Sequence, residues 1–297
     1  MPEIYLLIPE QDGYQKINVL FSAFPDGDIH CIVPESEQLV DKPVLVFARI
    51  YPDQHVQIFR LLLLLDLLKA TGVTKISVFC PYLPYSRQDK SHITGEAVSI
   101  NTICRLLANV GCECLYTLDC HFMKGRSEEV RCGLRIQNIS LVQELMSACR
   151  KMLGDEPFEV IGPDKGSLYL VQSFGAQYMH KQRGNYANLI AGDSYQTVTE
   201  LKDDHIVIGS KTILVLDDMI STGATLEQTV RNLRLRNVEH VYCAATHGLF
   251  LRNSYKTLTE LTDGIVFSDS IENPQAVTMV QKVLREKIVP MWLQSVE

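Results

Sequence analysis

Apolar residues along this chain follow two alternating rhythms. Short, nearly continuous runs read as strands buried on both faces: KPVLVFARI, KISVFCPYL, CECLYTLDCH, FEVIGPDKG, AQYMHKQRG, TILVLDD and HVYCAATHGLF. Between them lie stretches with helical spacing: the Leu-rich IFRLLLLLDLLKATG, EAVSINTICRLLANVG, LVQELMSACRKML, SLYLVQSFG and TLEQTVRNLRLRN. Gly72 closes the Leu-rich helix and is expected at its C′ position, where a left-handed backbone favours glycine. Strands that alternate with helices predict parallel sheets flanked by helices, an α/β fold.

The length of 297 residues suits two such domains of about 150 residues each. The boundary is expected in the loop-rich stretch 123–142. The division is therefore an N-terminal domain over 1–140 and a C-terminal domain over 141–297, whose last segment can pack back on the first. No 20–50-residue repeat is visible.

Composition narrows the function classes. The net charge of −7 lacks the basic footprint of a nucleic-acid binder, so no nucleic-acid partner is expected. The Leu-rich run carries Arg60, Asp66 and Lys69 and falls short of the roughly 20 apolar residues a bilayer span needs, so no membrane partner is expected either. Nine scattered cysteines, with no second pair to complete a metal knuckle and no secretory leader, read as reduced thiols of a cytoplasmic protein.

Ligands of open parallel sheets sit at the carboxyl ends of the strands. Five polar clusters follow apolar runs: PYSRQDK, TLDCH, GPDKG, HKQRG and LDDMISTGAT. The last is the most informative. A strand over 213–216 leads to Asp217 and Asp218, then to Ser221, Thr222, Gly223, Ala224 and Thr225, then to a helix. Small residues let a phosphate approach the open N–H groups of the helix start, and its dipole favours the anion. The two carboxylates can accept from vicinal sugar hydroxyls or orient a metal. A capped helix alone accounts for one acid and one threonine, not for two acids and a five-residue small loop. Both acids reach one diol only if the chain turns at them, and that turn is expected.

LDDMISTGAT resembles the phosphoribosyl-pyrophosphate motif of type I phosphoribosyltransferases and of ribose-phosphate diphosphokinases, the PRPP synthetases. The usual Gly-Gly is Gly223-Ala224 here, which a negative φ at Ala224 accommodates. Further segments, in family order from Phe24 to Pro274, resemble the synthetases specifically: AFPDGDIH, CPYLPYSRQDK, TLDCHF, GPDKGS, HKQRG with NYAN, AATHGLF and FSDSIENP.

The resemblance implies two phosphoribosyltransferase-like domains, each a mainly parallel sheet flanked by helices. The implied reaction makes 5-phosphoribosyl 1-diphosphate from ribose 5-phosphate and MgATP and releases AMP. It implies catalytic cations Lys181 and Arg183. It implies an ATP site of Phe24, Asp26, Asp28, Arg87, Gln88, Asp89, Lys90 and His121. The ribose 5-phosphate site would comprise Asp217, Asp218 and Ser221 to Thr225, and Mg2+ would be held by His121 and Asp164. Since the family's Phe-x-Asp-Gly segment serves a neighbouring subunit, a homo-oligomer built from dimers is expected, a hexamer among its forms. A phosphoribosyltransferase that consumes PRPP would need only LDDMISTGAT, and a non-catalytic regulatory subunit would have lost cations or metal ligands. The chain departs from the family at its N-terminus, which is short and reads poorly as a helix, and in KVLREKIVPMWLQSVE, which matches no motif.

Overall fold

A computed structural model describes residues 3–11, 13–175, 177–179 and 208–296. The chain divides into two compact units. One comprises Met1–Ser140 with Ser270–Glu272 and Met279–Glu297; the other comprises Leu141–Asp269 with Asn273–Thr278.

The first unit begins with an antiparallel pair, β1 (Ile4–Glu10) and β2 (Gly13–Asn18), where the family pattern would have a strand and a helix. The alternation in GYQKIN, with Ile17 buried, favours a strand over a helix there. A separate hairpin follows, β3 (Leu20–Ala23) and β4 (Ile29–Ile32). Next come β5 (Pro43–Ala48), α1 (Gln54–Thr71), β6 (Lys75–Phe79), α2 (Ser99–Asn109) and β7 (Cys112–Leu118). Residues 123–142, expected to be loop-rich, contain a second hairpin, β8 (Glu128–Arg131) and β9 (Leu134–Ile139).

The seven-stranded sheet runs β2-β1-β5-β6-β7-β9-β8. Its four central strands, β5, β6, β7 and β9, are parallel, and the outer pairings are antiparallel. α1 buries Ile58, Leu61, Leu64, Leu65 and Leu68, a helical stripe, and ends at Gly72 with φ 92°, the left-handed cap expected of that glycine.

The second unit contains α3 (Val142–Leu153), β10 (Glu159–Gly162), α4 (Leu168–Val171), β11 (Gln177–Tyr178), β12 (Thr212–Ile220), α5 (Ala224–Leu235), β13 (His240–Gly248), α6 (Ser254–Leu261) and β14 (Gly264–Ser268). Its sheet is parallel throughout, in the order β11-β10-β12-β13-β14. The chain steps outward from β10 to β11 and then back across to β12. The strand order therefore reverses between β10 and β12, the switch point at which ligands of such sheets bind.

After the second unit the chain returns to the first as α7 (Val280–Val283), a π-helical turn over Leu284–Ile288, and α8 (Val289–Val296). Gln281 shares a hydrogen bond with the Tyr5 hydroxyl, Lys75 Nζ donates to the Ser295 carbonyl at 3.0 Å, and the Trp292 side chain is fully buried.

Candidate active site

In the second unit the polar clusters collect at the carboxyl ends of β10, β12 and β13. β12 is central, and its partner β13 runs alongside it as far as Ile220 opposite Gly248. This pairing carries the strand through both acids, which corrects the turn expected at Asp217 and Asp218. The chain turns at Ser221 to Gly223 instead. Asp218 is buried and Asp217 half-buried, and their carboxyl groups meet in a side-chain hydrogen bond, so the two acids stand together although the strand does not turn between them. The Asp217 carboxylate accepts from the Asp218 backbone N–H at 2.9 Å. Burial, then the charges of Asp218 and Asp164, push the Asp217 carboxyl well above the usual carboxylate range. Asp164 follows β10 directly, so the acids of two adjacent strands flank the switch point.

The loop after β12 is fixed from behind. Ser221 O accepts from Leu251 N–H at 2.9 Å and from the Ser254 hydroxyl at 3.2 Å. Gly223 caps α5 with φ 76°, and a Cβ there would stand 2.9 Å from Ser254 Cβ, so only glycine fits. Ala224 is the first helical residue and has no positive φ, which is why the usual second glycine can be replaced. α5 starts at this loop, and a helix start, with its N–H groups ahead of the helical ladder and the positive end of its dipole, is the ordinary arrangement for receiving a phosphate. Asp164 Oδ1 accepts from Gly166 N–H at 2.7 Å and organises the turn after β10.

In the first unit the clusters follow the neighbouring parallel strands β6 and β7. Their ends are stitched together: Cys80 N–H donates to Tyr116 O at 2.9 Å, and Leu118 N–H to Pro81 O at 3.2 Å. Arg87 and Lys90 are exposed, and Gln88 and Asp89 are half-buried. The His92 N–H and then the Gln88 side chain hold the Glu96 carboxyl below its usual range, so Gln88 is anchored from its own loop. His121 is half-buried in the turn after β7. Asn138 of β9 fixes that turn, with Oδ1 accepting from Cys120 N–H at 2.8 Å and Nδ2 donating to Arg126 O at 3.1 Å.

The third element of this unit is the β3–β4 turn. Phe24 N–H donates to Asp28 O at 2.8 Å, and Asp28 N–H to Asp26 Oδ1 at 3.2 Å. The Phe24 ring is about half exposed, lying 5.2 Å from that of His30.

Thus Asp164, Asp217, Asp218 and the 221–225 loop gather in the second unit. Phe24, Asp26, Asp28, Arg87 to Lys90 and His121 all belong to the first. The two expected metal ligands, His121 and Asp164, therefore sit in different units. Lys181 and Arg183 lie outside the described residues. Asn138 is a positioning side chain that the sequence did not single out, because the turn it fixes lies 18 positions away along the chain.

A parallel sheet with acids and an open helix start at its switch point defines a phosphoribosyltransferase-like α/β protein. The comparisons with known proteins narrow this class. The N-terminal domain of ribose phosphate pyrophosphokinase matches residues 2–111, and the phosphoribosyl transferase domain matches residues 135–282. The ribose-phosphate pyrophosphokinase of Sulfurisphaera tokodaii is 30% identical over 273 residues, covering 89% of this chain and 88% of that one. That of Pyrococcus furiosus is 29% identical over 278 residues, covering 90% and 91%. The crystal structure of phosphoribosylpyrophosphate synthetase from Mycobacterium smegmatis has the same fold, with a TM-score of 0.78 at 21% identity over 94% of this chain and 91% of that one. The chain belongs to the ribose-phosphate pyrophosphokinase family of enzymes.

Proposed function

We propose that this enzyme makes 5-phosphoribosyl 1-diphosphate from ribose 5-phosphate and MgATP, with release of AMP. The observation that carries the reading is the run of β12 through Asp217 and Asp218 into the glycine-capped start of α5, beside Asp164 at the switch point of a parallel sheet. The ribose C1 hydroxyl attacks the β-phosphorus of ATP; the bond to the α-phosphate oxygen breaks, and AMP leaves. Ser221 to Thr225 receive the 5-phosphate, while Asp217 and Asp218 accept from the ribose hydroxyls. Arg87, Gln88, Asp89 and Lys90 serve the nucleotide and its phosphates, with His121. Lys181 and Arg183 supply cations where charge gathers as the diphosphoryl group moves.

The donor chemistry suits Mg2+. Among the described residues no group of three or more His, Cys, Asp or Glu is arranged to hold a metal. Magnesium asks for no such cage, since it binds through one or two protein ligands together with substrate phosphates. His121 and Asp164 would be those ligands, and the bound ion would neutralise charge on the phosphates.

The Phe24 to Asp28 turn, with its half-exposed ring, is read as the part lent to a second copy, where Phe24 stacks on adenine and Asp26 or Asp28 accepts from its amine. The working form is then a homo-oligomer built on dimers, and a fully active monomer in sedimentation would reject this part. Cytoplasmic residence belongs to the same reading, supported by nine cysteines that form no disulfide; among the described residues no helix is long and apolar enough to cross a membrane.

The test is AMP release from MgATP with and without ribose 5-phosphate. AMP should appear only with the sugar phosphate and in equal amount to PRPP. Consumption of PRPP with a nucleobase, and no AMP release, would instead identify a phosphoribosyltransferase.

A further inference from the structure

We propose that Arg131 is a positioning residue that holds two nucleotide-site loops of the first unit in one arrangement; this rests on the nucleotide reading of those loops given above. Arg131 ends β8, the edge strand of the sheet, yet its side chain is turned inward and is only 17% exposed. Its Nε donates to Asn101 Oδ1 on α2 at 2.7 Å, and its Nη2 donates to the main-chain carbonyl of Asp89 at 2.7 Å. The guanidinium carbon stands 4.6 Å from the centre of the Phe122 ring, and Nη1 lies 3.6 Å from Glu129 Oε1.

Asp89 lies between Gln88 and Lys90, and Phe122 follows His121. One planar group therefore touches both the loop after β6 and the turn after β7. The hold on the second loop is doubled. Glu129 Oε2 pairs with Arg126 at 2.8 Å, and Arg126 donates to Met123 O at 3.0 Å and Phe122 O at 3.1 Å. The donor that meets Asp89 goes to the loop's backbone, so it fixes the course of the chain without itself occupying the loop's side chains. A fork of fixed geometry is required for this. Lysine, a single point charge on a flexible stem, can reach the carbonyl or the amide but cannot hold both and stack on Phe122.

The test uses the full-length chain, with Arg131→Lys and Arg131→Gln beside the wild type. Calorimetric Kd values are measured for MgATP and for ribose 5-phosphate, with melting temperatures and the KM and kcat of AMP formation. Arg131→Gln should weaken MgATP by about tenfold, the scale of one lost hydrogen bond to a charged group. Arg131→Lys should recover part of that loss. Ribose 5-phosphate, whose residues lie in the second unit, should bind as in the wild type, and KM for ATP should move more than kcat. Should Arg131→Gln fail to fold, Asn101→Ala releases one prong of the fork and should weaken MgATP about threefold, as a neutral partner's loss does.

An unchanged MgATP Kd in a folded variant overturns the proposal. So does equal weakening of both ligands in step with a lower melting temperature, the mark of a structural brace alone. If the wild type binds MgATP but forms no AMP with ribose 5-phosphate, the catalytic reading falls while the Kd contrast still decides Arg131. A wild type that binds no MgATP overturns both.

Discussion

Asp217 is tied to its immediate neighbour in sequence, and Asp164 to a residue two positions on. Asp89, in the first unit, is held by Arg131, 42 positions away, and Cys120 by Asn138, 18 positions away. Both sets of groups sit at the carboxyl ends of parallel strands. In the second unit the acids' own bonds are local and a helix start brings its open N–H groups wherever it occurs, while distant bonds from Leu251 and Ser254 hold the Ser221 carbonyl behind the loop. In the first unit the loops have no helix start to shape them at the critical point, and an edge hairpin supplies the missing constraints. Substitutions close to the ligand groups should therefore break the second site, while the first should also yield to substitutions well outside its motifs.

The largest expected effect falls on the scaffold of the first unit. Trp292→Ala should remove about 3–5 kcal/mol, the usual cost of emptying a buried aromatic site. Hydrogen exchange should quicken in β5 to β7 while β12 and β13 keep their protection. Equal loss in both units would show that the contrast between them does not extend to stability.

Ligand affinity gives the next test. Removing charged acceptors from a sugar costs about 1.5–3 kcal/mol each. Asp217→Asn with Asp218→Asn should weaken ribose 5-phosphate at least about tenfold and leave MgATP nearly unchanged. Collapse of MgATP binding instead would assign the acids to the nucleotide and its metal.

Gly223→Ala comes third, at about 1–3 kcal/mol of stability, from the strained φ and the approach to Ser254. Ser254→Gly removes the opposing Cβ but also the hydroxyl that holds Ser221, so the check is a double-variant cycle: Gly223→Ala should cost less on the Ser254→Gly background, and an equal cost would leave the backbone angle as the whole cause.

The smallest effect concerns pH. The Asp217 carboxyl titrates above its unfolded value, so its favourable contribution is complete below that value and is lost as pH rises through the folded one. Asp217→Asn should melt above the wild type at pH 8, with the gap closing toward pH 4. A constant gap would mean that the charge of Asp217 is not the source.

The same contrast explains what could be read in advance. Gly72, the alternating strands and the open start of α5 follow from local periodicity and backbone preference, and their sequence signals lie beside them. The path at Asp217 and Asp218 did not follow from local preference, because it depends on β13 continuing to Gly248 and offering partners to the last residues of β12. Arg131 and Asn138 were hidden for the same reason. Nothing near them in sequence marks the loops they hold, and the stretch around them resembles a polar linker. Lys181 and Arg183 were assigned only through resemblance, and they lie outside the described residues.

The return of α7 and α8 to the first unit has a consequence for the order in which the protein is made. Domains ordinarily fold as they leave the ribosome, the N-terminal one first. Here Trp292, Gln281 and Ser295 complete the first unit, and they are synthesised after every strand of the second. Until they arrive, the first unit lacks Trp292 in its core and the partner of the Tyr5 hydroxyl. The sheet translated first is thus the one finished last, and a nascent chain stalled before Met279 would carry a second unit with all its strands beside a first one still waiting for its closing helix.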